Sequence, residues 1–321
     1  MYLDERGRAR FGKEAVDVCS ACPLPNLYFW NCENMTMDQT SEYKVIESVL
    51  HPTNFSEGSK VAFYHALKAA LLAKSKLTLL NVSPDGTSEW SDFPGVRETL
   101  ERWGLLAKGS SKAAVAELGI DVRKVVAQES DPVDAVLRYQ SKHPADFIVL
   151  ATTQRDGRTL WLGKSVAEPV ARKAWQMTLF VPGHCDGFVD GRDGSVQLSK
   201  VLIPIALSPR PQPAVEAAAR LVQRLECPSG TFTLMHVGDE GTMPTFRCPD
   251  VPGWAWKKEL RSGEVIQTIV KTAKDLEADL IVMSTDGRNG FLDGLRGSHS
   301  ERVLRYGAAP LLTIPVGPGG E

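Results

Sequence analysis

The sequence predicts an α/β protein built from two tandem, doubly wound parallel sheets of five strands each. Short β-rich runs alternate with helical patterns along the chain, and one stretch of this pattern occurs twice. Apolar residues are continuous in the run 147–150, which is typical of parallel strands that helices cover on both faces. Such strands are joined by right-handed crossovers, and ligands bind such sheets at the carboxyl ends of the strands.

The duplicated stretch divides the chain. Residues 145–152 (ADFIVLAT) match residues 278–285 (ADLIVMST) at an offset of 133, and the same offset carries 178–182 onto 311–315. We therefore predict two homologous halves joined by a Gly- and Asp-rich linker. The predicted division is an N-terminal extension at 1–43, a first half at 44–183, a linker at 184–198, a second half at 199–316 and a tail at 317–321.

The N-terminal extension has no counterpart in the repeat. A disordered arm, a small cysteine-bearing appendage and an over-extended gene start are its alternative interpretations. Three of the six cysteines, Cys19, Cys22 and Cys32, lie there and could supply thiolates to zinc. The usual second pair of ligands is missing, and His51 as a fourth ligand falls inside a predicted strand. We therefore predict reduced thiols and no metal site.

Alternating elements fill both halves. In the first half the patterns predict strands at 44–51, 76–82, 121–127, 146–152 and 177–182, and helices at 56–74, 95–118, 131–143 and 165–175. In the second half they predict strands at 200–204, 231–237 and about 253–260, followed by the repeated runs.

The second half is shorter than the first between its second and third strands. Residues 238–252 contain three prolines and little helical periodicity, which argues against a helix. The counterpart of helix 95–118 is therefore expected to be missing. An apolar sheet face without its helix must pack against something else. We expect the first half to cover this face, with the N-terminal segment as the second choice.

Composition excludes several classes of function. The chain has 321 residues with 37 basic and 39 acidic side chains, a net charge of −2, so general electrostatic binding to nucleic acid or to an anionic membrane is not expected. No apolar run approaches the roughly 20 residues that span a bilayer. No apolar segment follows the basic N-terminus as it does in a secretory signal. These features predict a cytoplasmic protein.

Small residues follow the fourth strand of the second half and precede a helix. They are Ser284, Gly287 and the pair Gly297–Ser298. Glycines let backbone amides approach a bound group, and the free N–H groups of a helix N-terminus favour an anion such as phosphate. A second interpretation needs no ligand: Ser298 and Glu301 form a capping box that satisfies the same amides, and the Glu301 charge weakens anion binding.

Other side chains near this loop could take part in chemistry. His299 could contact a phosphate, and Asp286 and Asp293 could bind Mg²⁺ with a nucleotide; solvated loop side chains are the simpler interpretation of all three. Neither GxxxxGK[ST] nor GxGxxG occurs, and no Ser/His/Asp order comes with a supporting motif. We therefore predict a protein without catalytic residues, and slow ATP hydrolysis is the one activity left open.

The spacing Ser284-x2-Gly287-x9-Gly297-Ser298 resembles the motif of nucleotide-binding members of the universal stress protein family. That motif is Gly-x2-Gly-x9-Gly followed by Ser or Thr, so Ser284 replaces its first glycine. Residues 51–59 (HPTNFSEGS) resemble the family's opening strand and turn, and PLLTIP at 310–315 resembles its last strand. The resemblance implies two Rossmann-like five-stranded folds that pair as an internal pseudo-dimer.

The resemblance also assigns residues to a nucleotide site, and the two halves differ there. The family's nucleoside-contacting Asp is Asn54 in the first half and Ala206 in the second. In the first half the phosphate loop reads Ala151-x2-Gln154-x9-Lys164-Ser165 and has no glycine. The second half is therefore the expected site for ATP or ADP with Mg²⁺, through Val237, Ser284, Gly287, Gly297, Ser298 and His299. A weaker site in the first half comprises Asn54, Val82, Lys164 and Ser165.

Two classes of function follow from the sequence. The first is a nucleotide-binding, non-catalytic stress-response or regulatory protein that changes protein partners with its ligand state. The second is an interaction scaffold of the same fold that binds no nucleotide and whose capping boxes are purely structural. The sequence names neither the partner nor the stress, and it leaves a homodimer open beside the intramolecular pairing.

Overall fold

The computed structural model describes residues 46–88, 90–155, 158–160, 174–286 and 309–316, together with positions 170 and 303. Its first half begins with strand β1 at Ser48–Thr53 and helix α1 at Glu57–Ala73. The remaining elements of this half are β2 (Lys76–Val82), α2 (Val96–Arg102), α3 (Lys112–Glu117), β3 (Asp121–Ala127), α4 (Pro132–Lys142), β4 (Phe147–Arg155), β5 (Arg158–Leu160) and β6 (Met177–Pro182), with a short 3₁₀ helix at Trp90–Asp92.

The second half repeats this order with fewer helices among its described residues. Its elements are β7 (Lys200–Pro204), α5 (Gln212–Arg224), β8 (Gly230–Val237), a 3₁₀ helix at Glu240–Thr242, β9 (Trp254–Arg261), α6 (Val265–Asp275), β10 (Leu280–Asp286) and β11 (Leu311–Val316). Positions 170 and 174, inside the helix predicted at 165–175, are helical, and the rest of that prediction except Trp175 lies outside the described residues.

The two halves share one continuous sheet. Ten strands follow the order β3-β2-β1-β4-β6-β11-β10-β7-β8-β9, and β5 pairs only with β4. Every pair along this path is parallel except β6 with β11, which is antiparallel and aligns Phe180 with Leu311. The predicted α/β class with parallel sheets is confirmed. Because the junction is antiparallel, the strands of the two halves run in opposite directions, and their carboxyl ends lie at opposite edges of the sheet.

Two apolar cores cover the two faces of the sheet. One core combines α1, α2 and α3 with α5 and includes the fully buried Phe63 and Phe232. The other combines α4 with α6 and includes Ile148 and Ile281, which belong to the repeated sequence runs. Side chains of a single strand alternate between the cores, as Leu79 and Leu80 do. This double burial is the reason that the central strands are continuously apolar.

One aspartate in each repeated stretch fastens the start of the neighbouring strand. Asp146 Oδ2 accepts hydrogen bonds from the Glu47 and Ser48 amides, at 3.0 and 3.1 Å. Asp279, which lies 133 residues later, accepts from the Ser199 and Lys200 amides at 2.8 and 2.9 Å. The AlaAsp pair of the repeat is thus a structural feature of the amino edge of each sheet.

The prediction of one continuous helix at 95–118 is wrong in the middle of this range. The structure has two shorter helices, α2 and α3, separated by residues 103–111. Gly104 and Gly109 have φ angles of +73° and +79°, a left-handed conformation that a continuous helix cannot contain and that glycine adopts readily. The apolar pattern of this region fitted one helix, and the two glycines divide it.

The face that lacks these helices in the second half is covered locally. Residues 238–253 contain only the 3₁₀ helix, and Met243, Phe246 and Val251 pack on the core. Trp256 stacks on Phe232 with ring centroids 4.1 Å apart. This local cover replaces the one we expected from the first half. That expectation is wrong because five strand positions separate β9 from β6, about 24 Å at the usual strand spacing.

The linker packs on the first half instead of hanging free. Phe188, Val189 and Leu198 are buried. His65 of α1 donates from Nδ1 to the Val61 carbonyl, and its Nε2 accepts from the amides of Phe188 (3.0 Å) and Val189 (3.3 Å). A ring nitrogen that accepts two hydrogen bonds must be unprotonated, so this contact requires neutral His65.

Two buried histidines predict acid destabilisation. Burial lowers the pKa of His65 and of His51 to about 4, whereas an unfolded histidine titrates near 6.5. The unfolded chain therefore binds more protons between these values, and stability falls as pH decreases through this window. We expect a loss of about 2 kcal/mol per histidine between pH 7 and pH 5, measured by urea unfolding.

The variant His65→Gln should remove about half of this pH dependence, since glutamine keeps an acceptor without the titration. His184→Gln, at an exposed position, is the matched control and should leave the dependence as in the wild type. Hydrogen bonds lower the pKa values of Asp85 and Asp190 to about 2. These aspartates therefore change the stability only at pH values below the range in which the histidines titrate. An equal pH dependence in His65→Gln and the wild type would contradict the assignment.

Candidate functional site

The carboxyl edge of the second half brings several predicted site residues together. Pro204 pairs with Met235 across β7 and β8, so the same register carried two residues further places Ala206 beside Val237. Ile281 pairs with Leu202 across β10 and β7, and this register carried three residues further brings Ser284 next to Ile205. One edge of the sheet therefore holds three predicted site residues: Ala206 at the nucleoside position, Val237 at the adenine-lining position and Ser284 at the start of the loop motif.

The described part of this edge is open and incompletely bonded. Ala206 is exposed, the Leu207 side chain is 68% exposed and Val237 is half-buried. The Ser284 hydroxyl is buried and has no hydrogen-bond partner among the residues that the structure describes. Buried hydroxyls are normally paired, and an orphaned one costs about 1–3 kcal/mol. An open surface beside an orphaned hydroxyl is a suitable place for a polar ligand.

His236, to which the sequence patterns assigned no role, links two turns at this edge. Its Nδ1 donates to the Ile205 carbonyl oxygen at 3.1 Å, and its Nε2 lies 3.0 Å from the Thr242 hydroxyl. Ile205 directly follows β7, and Thr242 belongs to the 3₁₀ helix after β8. The repeat could have revealed this residue, because His236 precedes Val237 just as Asn81 precedes Val82.

The first half uses its nucleoside position for helix capping. Asn54 Oδ1 accepts hydrogen bonds from the Ser56 amide (3.2 Å) and the Ser56 hydroxyl (2.7 Å). Ser56 in turn is the N-cap of α1 and accepts from the Ser59 amide. The amide side chain that sequence reasoning assigned to a ligand thus already has a structural role.

An aromatic cluster covers the turn that follows Asn54. Phe55 has a φ of +63° and lies edge-on to Trp90 at 5.0 Å and near Phe93 at 5.4 Å. The Lys124 ammonium lies 4.7 Å from the centre of the Trp90 ring, and burial lowers the pKa of this lysine. The equivalent residue of the second half is the exposed Leu207. The turn of the first half is therefore covered by aromatic side chains, whereas the turn of the second half is exposed to solvent.

The fourth strand of the first half continues as a hairpin. Strand β4 extends to Arg155, beyond the predicted end at residue 152, and Gln154 pairs with Thr159 of β5. The backbone at Gln154, where the family has a glycine, is therefore in an antiparallel ladder. Val82 ends β2 as predicted and is half-buried.

Several predicted site residues lie outside the described residues and stay predictions. They are Lys164 and Ser165 in the first half, Gly287, Gly297, Ser298 and His299 in the second, and Cys19, Cys22 and Cys32 in the N-terminal extension. Within the part of the chain that the structure describes, no cluster of three His, Cys, Asp or Glu side chains could hold a metal ion. Among the helices so described, none combines the length and the apolarity that crossing a membrane requires.

The comparison with protein families now identifies the class of protein. The model of the universal stress protein family matches residues 46–182 and 250–315, which together are more than half of the chain. The chain belongs to the universal stress protein family, and the matched segments fall one in each half. The resemblance read from the sequence is confirmed.

Solved structures show the same fold at low sequence identity. A universal stress protein from Archaeoglobus fulgidus superposes with a TM-score of 0.55 and 17% identity, covering 84% of this chain and 98% of its own. A putative universal stress protein from Pseudomonas aeruginosa UCBPP-PA14 gives 0.52 and 13%, covering 84% and 93%. Identities this low carry the fold alone. No curated protein sequence matches this chain significantly.

The capping role of Asn54 is directly testable. Asn54→Ala removes the acceptor of two hydrogen bonds from the N-cap residue Ser56, and we expect the unfolding free energy to fall by about 1 kcal/mol, the net contribution of an ordinary hydrogen bond. Asn54→Asp keeps an acceptor and adds a negative charge near the start of α1, where the helix dipole favours it, so its stability should equal or exceed that of the wild type. Urea unfolding at pH 7 measures both, and an unchanged stability of Asn54→Ala would contradict the capping role.

Proposed function

We propose that this protein binds an adenine nucleotide, ATP or ADP with Mg²⁺, at the carboxyl edge of its second half. The observation that carries the proposal is the orphaned Ser284 hydroxyl, which lies buried where β10 leads into the glycine motif. Val237 and the exposed turn at Ala206 and Leu207 lie at the same edge. Membership of the family and the nearly complete spacing of the loop motif support this choice of ligand.

The residues of the second half fit a nucleotide except at one position. Ala206 has no polar side chain where nucleotide-binding members of the family have an Asp. Loss of one such hydrogen-bonding partner typically costs about 1–3 kcal/mol, which weakens affinity roughly tenfold to a hundredfold without abolishing it. The phosphates would lie on the amides of Gly287, Gly297 and Ser298, with Val237 lining the base.

In this proposal the first half stabilises the fold and does not bind the nucleotide. Asn54 is engaged by Ser56, Phe55 is covered by Trp90, and β4 continues into a hairpin at Gln154. The antiparallel pairing of β6 with β11 supports an internal pseudo-dimer in which one half binds and the other stabilises. The role that follows is regulatory and non-catalytic, with protein partners that respond to the state of the nucleotide.

The alternative is a scaffold that binds no nucleotide. The structural use of Asn54 favours it, because the side chain at this site position is already hydrogen-bonded to the N-cap residue of α1, Ser56. Native mass spectrometry of the purified chain and a thermal-shift titration with ATP and MgCl₂ separate the two. If no nucleotide copurifies and ATP with MgCl₂ causes no thermal shift, the nucleotide proposal is overturned and the scaffold remains.

The glycine motif gives the first matched pair of variants. Gly297→Val blocks the close approach of backbone to phosphate, and we expect a loss of ATP affinity of at least about tenfold in calorimetry, with the fold retained. Lys164→Val alters the position 133 residues earlier in the first half and should leave affinity unchanged. Equal affinity in Gly297→Val and the wild type would exclude this loop as the phosphate site.

The lost aspartate gives the second pair. Ala206→Asp restores a hydrogen-bonding carboxylate at an exposed position, and we expect ATP to bind about tenfold more tightly. Asn54→Asp places a carboxylate at the equivalent position of the first half, where Ser56 hydrogen-bonds to the side chain, and should not alter the affinity. Tighter binding in Asn54→Asp alone would move the site to the first half.

A further inference from the structure

The two halves contain the same polar clamp at the end of their second strands. In the first half, Asn81 Nδ2 donates to the Thr53 carbonyl at 2.9 Å, and Asn81 Oδ1 accepts from the Ser88 hydroxyl at 2.5 Å. In the second half, His236 contacts the Ile205 carbonyl and the Thr242 hydroxyl. Thr53 and Ile205 each precede the nucleoside position, Asn54 or Ala206. One side chain in each half therefore fastens that turn to the turn after the second strand.

One hydrogen bond of His236 identifies its donor nitrogen. A backbone carbonyl can only accept, so Nδ1 carries the proton that is donated to Ile205. Nε2 lies 3.0 Å from the Thr242 hydroxyl, which also lies within hydrogen-bond distance of the Asp239 carbonyl and carboxylate. His236 is buried, so the loss of the ring would leave the Ile205 carbonyl without this donor.

The glycine after Val237 makes room for this clamp. A Cβ atom at Gly238 would lie 2.6 Å from His236 Nε2 and 2.7 Å from Thr242 Oγ1. The Asp239 carboxylate and the Thr242 side chain also form reciprocal capping bonds around the same turn. The turn is thus shaped around the contact between His236 and Thr242.

We infer that His236 is a positioning residue for the nucleotide site of the second half. It holds the backbone at Ala206 against the turn that begins at Val237, and so sets the width of the nucleoside pocket without touching the ligand. This inference rests on the proposed function, because the pocket it positions is the nucleotide pocket. Asn81 has the same contacts in the half that is not proposed to bind, so its contribution is to stability alone.

Three variants test the inference by calorimetry with ATP and MgCl₂ and by thermal unfolding. His236→Leu removes both polar contacts and should weaken ATP binding by about tenfold or more, as expected when the walls of a pocket lose their spacing. His236→Asn can donate to Ile205 and keep a polar atom facing Thr242, as Asn81 does with its own partners, and should stay within about threefold of the wild type. Asn81→Leu should lower Tm about as much as His236→Leu without changing the affinity.

Two outcomes overturn the inference. One is wild-type affinity in His236→Leu; the other is an equal loss of affinity in Asn81→Leu, which would attribute the effect to general stability. Failure of the wild-type chain to bind ATP would overturn the proposed function instead. Hydrogen exchange then tests the clamp directly: His236→Leu should accelerate exchange at residues 205–207 and 238–242, and His236→Asn should not. This measurement needs no ligand, and unchanged hydrogen exchange in His236→Leu would overturn the positioning role.

Discussion

The antiparallel pairing of β6 with β11 is the contact on which the architecture depends. It joins two five-stranded parallel sheets into one and covers an edge strand of each half, which would otherwise offer free backbone groups to other chains. It also sends the two sets of strands in opposite directions, so the carboxyl ends of the two sets lie at opposite edges of the sheet. The edges that remain are β3 and β9, and β9 carries charged side chains such as Lys257, Lys258 and Arg261, which discourage further pairing.

The duplicated halves have kept their structural polar contacts and diverged at the ligand edge. Asp146 and Asp279 fasten equivalent strands, and Asn81 and His236 fasten equivalent turns with different chemistry. At the nucleoside position one half has a capping asparagine and the other an exposed alanine. In the first half the asparagine side chain is hydrogen-bonded within the chain, whereas the alanine of the second half has no polar side chain to pair.

Buried polar groups outside the ligand edge connect the linker to the first half. His65 accepts two linker amides, Lys68 donates to the Gly194 carbonyl, and the Trp103 indole donates to the Gly191 carbonyl. Each of these bonds satisfies a backbone group that packing has removed from water, where an unpaired group is costly. The linker therefore restrains the entry to β7 and contributes to the core, which its Gly- and Asp-rich composition concealed.

The sequence alone determined the class, the duplication, the positions of most strands and the family, because these depend on local apolar periodicity and on repeated residues. It also located Val237 at the end of β8, whereas Ser284, which was expected to follow its strand, lies inside β10, because that strand continues to Asp286. The tertiary structure decided what depends on contacts between distant residues: the capping role of Asn54, the clamp at His236, the buried linker and the local cover around Phe246. Hydrogen-bond partners many residues apart leave no periodic signal in a single sequence, so only the folded chain could show that Asn54 is already paired and that Ser284 has no partner within the described part of the chain.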